Sequence, residues 1–310
     1  MNQPNRSRRM QSICVCFIAV ALVASLALAS TAAAEPQGIF KVYKDCPTEK
    51  SEVALCIYGE TTSGEFVIGS TKVPINKTLL LQAGAVHTGG SNFNEYRFVP
   101  PKGGETMSKT ELNVPGGLAG LINCEEIKGG GLLEVTERAA CKLVFENGLT
   151  GVTTTTEYVG TTSNPAILNF TNIVEEKRTG LSLPIRAHLK NPLLGSNCYI
   201  GSSTHPIQLQ LTDGTTSPPE PNKPISGKLG NPTTEVEDEF ESLTTTENTL
   251  VDNSFSVPVV EGCGGLASSL LDPIVDAKLG LESPAGHNTA ILNSTLHNAE
   301  SEAVVASEKF

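Results

Sequence analysis

The chain has 310 residues, and its 33 acidic and 22 basic side chains give a formal charge of −11 at pH 7. This acidic balance argues against nucleic-acid binding, because phosphate contacts need clustered Lys and Arg. The lack of Trp weakens any sugar-binding interpretation that depends on aromatic platforms. The mean hydropathy of −0.06 is too polar for a polytopic membrane protein and too apolar for general disorder.

Residues 1–34 have the features of a secretory signal peptide. Three Arg lie within residues 6–9, an apolar run follows from Ile13 to Ala29, and three consecutive Ala end at Ala34. A basic start, a short apolar run and an Ala-x-Ala site predict cleavage after Ala34. The alternative is an uncleaved membrane anchor, but the run is rich in Ala and short for a membrane span.

Cleavage leaves 276 residues (310 − 34) with a charge of −14, because loss of three Arg leaves 19 basic against 33 acidic side chains. Six Cys remain, and an even number in an oxidising compartment predicts three disulfides. Proximity along the chain favours the pairs Cys46–Cys56, Cys124–Cys141 and Cys198–Cys263. The alternative pairs Cys56 with Cys124 and Cys46 with Cys141, and it keeps Cys198–Cys263.

Strand-like alternation dominates the mature region. Apolar residues recur at every second position in Leu183–Leu189, Ile207–Leu211 and Phe255–Val259, and the stretch Val152–Val159 is rich in Thr. Period-two alternation indicates strands with one buried face, and β-branched residues suit a pleated surface. Turn residues separate these runs at short intervals. We therefore predict an all-β, antiparallel sandwich- or barrel-like fold with one or two short helices.

The best helix signal is the segment Asp272–Gly280. Asp272 suits the N-cap, Pro273 the first helical position and Gly280 the C-terminal end. The segment Pro115–Ile122 is a second candidate for a single turn or short helix.

Two short motifs recur in the same order in both halves of the chain. Ile68–Ile75 resembles Ile200–Ile207, and Gly116–Ala119 resembles Gly264–Ala267. A tandem pair of related β-domains would explain the recurrence. Chance similarity between turn sequences is the alternative, because Gly, Ser and Pro recur in turns for local steric reasons.

The duplication predicts a first β-rich half at residues 35–165 and a second at residues 166–310. The second half has a Pro-rich insert at residues 215–232. Its prolines fall three apart, as on one face of a polyproline II helix. A stiff, solvated connector is the favoured interpretation of the insert, and a docking site for an aromatic groove is the alternative.

Catalytic motifs are missing from the sequence. The five His belong to no H-E-x-x-H helix, and no G-x-S-x-G motif occurs. His188 lies on the polar side of its alternating segment, so we expect it to face solvent. The run Glu235–Glu241 is the densest acidic cluster; a solvated edge is favoured over a Ca²⁺ site. We expect no catalytic residue, metal or other cofactor. Sequons begin at Asn76, Asn169 and Asn293.

Several blocks together resemble a family. These are Glu65–Gly69, Val73–Thr78, Leu193–Ser202 and Gly262–Leu266. On these blocks the chain resembles uncharacterised secreted proteins that are common in some actinobacteria. The resemblance implies secretion, disulfides and a β-rich body, and it implies no activity because the family has none assigned.

Three hypotheses of function follow. The leading one is a secreted or cell-surface, non-enzymatic protein. Its role would be structural, or it would interact with another extracellular protein or a cell-envelope component. We expect it to bind no nucleic acid and to have no membrane span after removal of the leader. The second is a carrier of an apolar small ligand inside the sandwich or barrel, which requires a pocket instead of a solid core. The third is an extracellular hydrolase with a dispersed site, which requires His287 or another His beside a Ser or carboxylate in a cleft.

Overall fold

Antiparallel strands dominate the computed structural model, which describes residues 34–89, 94–117 and 151–309. The all-β prediction is confirmed. The strands are β1 Leu55–Ile68, β2 Thr71–Ile75, β3 Leu79–His87, β4 Glu95–Val99, β5 Leu112–Val114, β6 Val152–Tyr158, β7 Ile167–Asn169, β8 Leu181–Lys190, β9 Tyr199–Ile200, β10 Ile207–Leu211, β11 Asn231–Glu237, β12 Phe240–Asp252, β13 Val260–Glu261 and β14 Thr289–Glu300.

Short helices connect or cover these strands. They are a 3-10 helix at Gly38–Tyr43, α1 at Phe170–Val174, a 3-10 turn at Gly265–Ala267, α2 at Ser268–Leu279 and α3 at Ser301–Ser307. No helix among the described residues is long and apolar enough to cross a membrane.

The strands form one sheet in the order β11-β12-β14-β1-β3-β4-β7-β8-β6-β5. Strand β2 pairs with the second part of β1, and β9 and β10 pair with β8. Just past β10, Thr212 and Val251 of β12 exchange both backbone hydrogen bonds, at 3.0 and 2.8 Å. We call this bridge the seam. The seam links the end of β10 to β12. Neighbouring strands can therefore be followed from β8 through β10, β12, β14, β1, β3, β4 and β7 back to β8. The sheet thus wraps into a barrel-like form.

Strands β1 and β14 bury apolar side chains on both faces. On the inner face, residues such as Ile57 and Leu292 join the large core inside the barrel. The outer face is covered by the N-terminal 3-10 helix and α3. The side chains buried there form the outer cluster: Phe40, Tyr43, Cys46, Val53, Cys56, Val86, Val99, Ala299, Ala303 and Val304.

Helix α2 covers one end of the barrel. The backbone N–H of Ser70, in the turn between β1 and β2, donates to the carbonyl of Leu279 at 2.8 Å. Gly280 ends the helix with φ +71°, as predicted, but the helix begins at Ser268 instead of after Asp272. The carboxylate of Asp272 instead accepts hydrogen bonds from the backbone N–H groups of the loop before the helix, including that of Cys263 at 2.7 Å.

Two further local predictions have different outcomes. Phe255–Val259 does not form a strand: Phe255 and Val257 are buried, but Val257 makes only an isolated bridge with Ser283, and Val259 is 41% exposed. The second helix candidate, Pro115–Ile122, is described only to Gly117.

Strands from the two predicted halves pair directly with each other. Strand β1 pairs with β14, β4 with β7 and β6 with β8, and the described residues from Pro36 onward belong to one compact unit. The repeated Gly-Gly pairs have the same conformation, with φ of +80° and +51° at Gly116 and Gly117 and +78° and +61° at Gly264 and Gly265. This left-handed conformation favours Gly on steric grounds alone, so the duplication stays a prediction.

Candidate ligand-binding cavity

The barrel contains a cavity between its inner-facing side chains. The volume of this cavity is about 150 Å³, whereas a cavity that holds a single buried water needs roughly 10–15 Å³. Along β1 the lining includes Ile57, Gly59, Thr61 and Phe66. The cavity therefore extends along the strand, a shape that suits a chain-like ligand.

Alternation along the strands brings apolar side chains into the cavity. Leu81 of β3, Leu183 of β8 and Leu296 of β14 all line it. Gly59 of β1 lies between them, where a Cβ atom would meet Leu81 Cβ at 3.7 Å and Leu296 Cδ1 at 3.8 Å. These are ordinary van der Waals distances, so the position of Gly59 has room for a methyl group without a clash.

A second cavity of about 30 Å³ adjoins the first. Both are bordered by Phe66, Thr156, Ile185 and Leu209. The second cavity thus lies next to the main one, on the side of β6 and β10.

The cavity reaches the surface beside α1. Val174 of this helix lines the cavity and is 69% exposed.

Asn169 caps helix α1, since its Oδ1 accepts a hydrogen bond from the backbone N–H of Asn172 at 3.0 Å. Asn172 Nδ2 in turn donates to the carbonyl of Thr179 at 2.7 Å. Asn169 is only 6% exposed, so this predicted sequon lies in a buried position.

Uncharged groups supply all of the cavity's described lining. No Asp, Glu, Lys, Arg or His is among these residues. The polar side chains lie mainly on β12 and β14, where the lining includes Asn248, Ser294 and Asn298. Apolar contact, together with a few neutral hydrogen-bonding groups, is the chemistry that this site offers.

A charged cluster lies on the side of β6 and β8 away from the cavity. Arg186 donates two hydrogen bonds to Glu157 Oε2, at 2.9 and 2.7 Å, and lies 4.0 Å from the ring centroid of Tyr199. His188 Nδ1 lies 3.4 Å from Glu157 Oε1, and its ring stacks on Tyr199. The expectation that His188 faces solvent is wrong, because its side chain is only 13% exposed.

This arrangement gives no support to the hydrolase hypothesis. His188 Nε2 is buried and has no hydrogen-bond partner among the described residues, and His188 is not among the residues that line the cavity. His297 is also engaged, with Nδ1 2.9 Å from Thr244 Oγ1, and burial lowers its pKa below the usual 6.5. No described His lines the cavity.

The acidic run Glu235–Glu241 forms the hairpin of β11 and β12. Its turn residues Asp238 and Glu239 have positive φ angles of 48° and 72°. Glu237 Oε2 accepts the backbone N–H of Ile39 at 2.8 Å, which attaches the 3-10 helix to the hairpin. Within the described ranges, no three His, Cys, Asp or Glu side chains come together as a metal-binding group.

One carboxylate is buried beside the seam. Asp213 is 1% exposed, and neither of its oxygens makes a well-formed hydrogen bond to the described part of the chain. Burial raises its pKa from 3.8 to about 6, and the negative charge of Glu176 adds to the rise, although nearby backbone amides partly oppose it. Beside the seam there is therefore a carboxyl group that keeps its proton to a higher pH than an ordinary Asp.

Two predicted disulfides are present. Cys46 bonds to Cys56 with Cα atoms 5.6 Å apart, and Cys198 bonds to Cys263 with Cα atoms 4.1 Å apart. The Cys46–Cys56 bond excludes the alternative pairing. Cys124 and Cys141 lie outside the described residues, as does nearly all of the predicted signal peptide.

The Pro-rich insert is attached to the barrel. Asn222 Nδ2 donates to the carbonyls of Asn253 and Asn288, both at 2.9 Å, and Asn253 Nδ2 donates to the carbonyl of Lys223 at 2.8 Å. Its prolines at 221 and 224 are exposed. The insert is therefore anchored to the barrel at its centre.

The cavity was not predicted from the sequence. Alternation identified the buried faces of β8 and β10, but a buried face looks the same whether it borders a filled core or free space. The small residue at Gly59, inside strand β1, was the available signal. No protein-family model, curated protein or solved structure matches the chain.

Proposed function

We propose that this chain is an extracellular, non-enzymatic binding protein that carries an apolar ligand inside its barrel. The cavity is the observation that carries the proposal. Protein interiors are close-packed, and voids larger than a water molecule are few. A space of about 150 Å³ with an almost wholly apolar wall and an exit beside Val174 has the character of a ligand site.

Location outside the cytoplasm is supported by the disulfides Cys46–Cys56 and Cys198–Cys263, because such bonds persist in oxidising compartments. The predicted signal peptide and the resemblance to secreted actinobacterial proteins also support it. The non-enzymatic part rests on the absence of a titratable side chain in the described cavity lining. A structural role at the cell envelope is the second proposal. It ranks second because it does not explain the cavity.

Titration with a neutral apolar fluorophore tests the proposal. N-phenyl-1-naphthylamine should bind the disulfide-bonded mature chain saturably, at one site, with enhanced fluorescence. Gly59→Leu should abolish the enhancement, because the new side chain occupies the space between Leu81 and Leu296.

The matched control is Val236→Leu, a similar gain of bulk at a residue that is 63% exposed and outside the cavity lining. It should bind the fluorophore as the unaltered chain does. Absence of saturable binding, or equal binding by Gly59→Leu, would overturn the proposal.

A further inference from the structure

The cavity has no means of neutralising a buried charge. Its described lining lacks acidic and basic side chains altogether. A carboxylate or ammonium group that entered would lose its water without gaining a counter-charge, which is strongly unfavourable in an apolar interior. The part of a ligand that enters the barrel should therefore be neutral.

One wall of the cavity nevertheless offers hydrogen bonds. Asn248 is already engaged, since its Nδ2 donates to the carbonyls of Lys228 and Leu229 at 3.2 and 3.0 Å, and its Oδ1 lies 3.3 Å from Ser294 Oγ. The contact with Ser294 joins β12 to β14, and the other two join β12 to the segment before β11, so Asn248 has little capacity left for a ligand.

Asn298 differs from Asn248 in having a free donor. It lines the cavity on β14, and its neighbours across the ladders are the apolar residues Ile57 and Leu243. Its Nδ2 is buried and has no hydrogen-bond partner in the described parts of the chain. A buried amide without a partner costs free energy that a ligand oxygen could recover. Rotation about the Cβ–Cγ bond exchanges Nδ2 and Oδ1, so the side chain can meet an acceptor or a donor.

We infer that the ligand is an uncharged lipid, a long-chain alcohol or ester, whose oxygen hydrogen-bonds to the amide of Asn298 while its chain occupies the apolar cavity. This inference rests on the proposed binding function. The alcohol or ester oxygen replaces the missing partner of the amide, and the alkyl chain lies against residues such as Leu296 and Phe66.

A matched series of twelve-carbon ligands tests the ligand class by displacement of N-phenyl-1-naphthylamine at pH 8. Dodecanol and methyl dodecanoate should bind at least tenfold more tightly than dodecanoate and dodecyltrimethylammonium, all used below their micellar concentrations. Equal binding of the charged and neutral ligands would overturn the inference and leave the proposed function standing. Failure of every ligand and of the fluorophore would remove the proposed function itself.

The role of Asn298 is tested with Asn298→Leu, which has a similar volume and no amide. Its affinity for dodecanol and the ester should fall about tenfold, the effect of one lost hydrogen bond, while its affinity for dodecylbenzene should be unchanged. Asn298→Gln, which keeps the amide, should recover part of the loss and also serves if the Leu variant does not fold. Equal weakening of all three ligands, or no weakening, would overturn the assignment of Asn298.

Discussion

The two faces of strands β1 and β14 both bury apolar side chains, but one is filled and the other is hollow. On the outer face, Phe40 lies at 0% exposure over Cys56 at 0% and Ala299 at 3%. On the inner face, Gly59 and Leu296 border a cavity of about 150 Å³. The same pair of strands thus supports two kinds of interior.

Side-chain size and covering elements both contribute to the difference. The outer face receives two aromatic rings, Phe40 and Tyr43, from the 3-10 helix, and the Cys46–Cys56 disulfide joins β1 to the segment that follows that helix. The inner face carries small residues such as Gly59 and Ser294, and the aromatic residues that line the cavity, such as Phe66, leave space unfilled. Burial alone therefore does not make a solid core.

Removal of one aromatic ring from each face should give the largest contrast. Phe40→Ala should lower the free energy of unfolding by about 3–5 kcal/mol, because the ring is surrounded by packed neighbours. Phe66→Ala should cost about 3 kcal/mol or less, because part of the Phe66 ring already faces free space. Urea unfolding of both variants measures the difference, and equal losses would mean that the inner face is as well packed as the outer one.

Asp213, which is buried beside the seam, should make the free energy of unfolding depend on pH. The pKa of this carboxyl is about 6 in the folded chain, against 3.8 for an unperturbed Asp. The folded state therefore retains the proton longer, and this group lowers stability as pH rises from about 4 to about 6, with no further change above that range.

Asp213→Asn should remove that loss and raise the free energy of unfolding at pH 7 by about 2–3 kcal/mol. The gain should shrink towards zero at about pH 4, where Asp213 is protonated in the folded chain and half-protonated in the unfolded chain. Urea midpoints across this pH range provide the measurement, with Asp238→Asn in the exposed hairpin turn as the control. A gain that is the same at pH 4 and pH 7 would contradict the burial argument.

A pair of glycines compares the two faces with the smallest change. Gly59→Ala points into the cavity and should raise stability by about 0.5–1 kcal/mol, the usual gain when Gly in a strand becomes Ala. Gly84→Ala, in β3, would place a Cβ 2.7 Å from Pro47 Cγ and 3.0 Å from Val53 Cγ1. It should cost about 1–3 kcal/mol through overpacking. Thermal unfolding measures both effects. If the unfolding temperatures of both variants shifted in the same direction, the two faces would not differ in packing as we describe.

The alternation of apolar residues correctly predicted β8 and β10 but failed at Phe255–Val259, because it depends only on neighbours along the chain. Leu183–Leu189 became β8, and proximity along the chain correctly paired Cys46 with Cys56 and Cys198 with Cys263. The start of α2 was missed, because Asp272 looks like a cap locally but bonds to the preceding loop through tertiary contacts.

The seam and the cavity could not be predicted from the sequence. The Thr212–Val251 bridge joins residues far apart in the chain, and neither residue carries a local signal for it. The space at Gly59 depends on how far Leu81 and Leu296 reach across the barrel. Such distances follow from sheet curvature and register, which alternation leaves open. The unpaired amide of Asn298 is visible only once its ladder partners are known.

The central claim, that the barrel is hollow in order to hold a neutral lipid, is tested most directly by a crystal structure of the mature chain with methyl 12-bromododecanoate. We expect an anomalous bromine peak inside the barrel, among the residues that line the cavity, with the ester oxygen within hydrogen-bond distance of Asn298. Bromine found only on the outer surface, or a barrel interior with no space for the chain, would contradict the account.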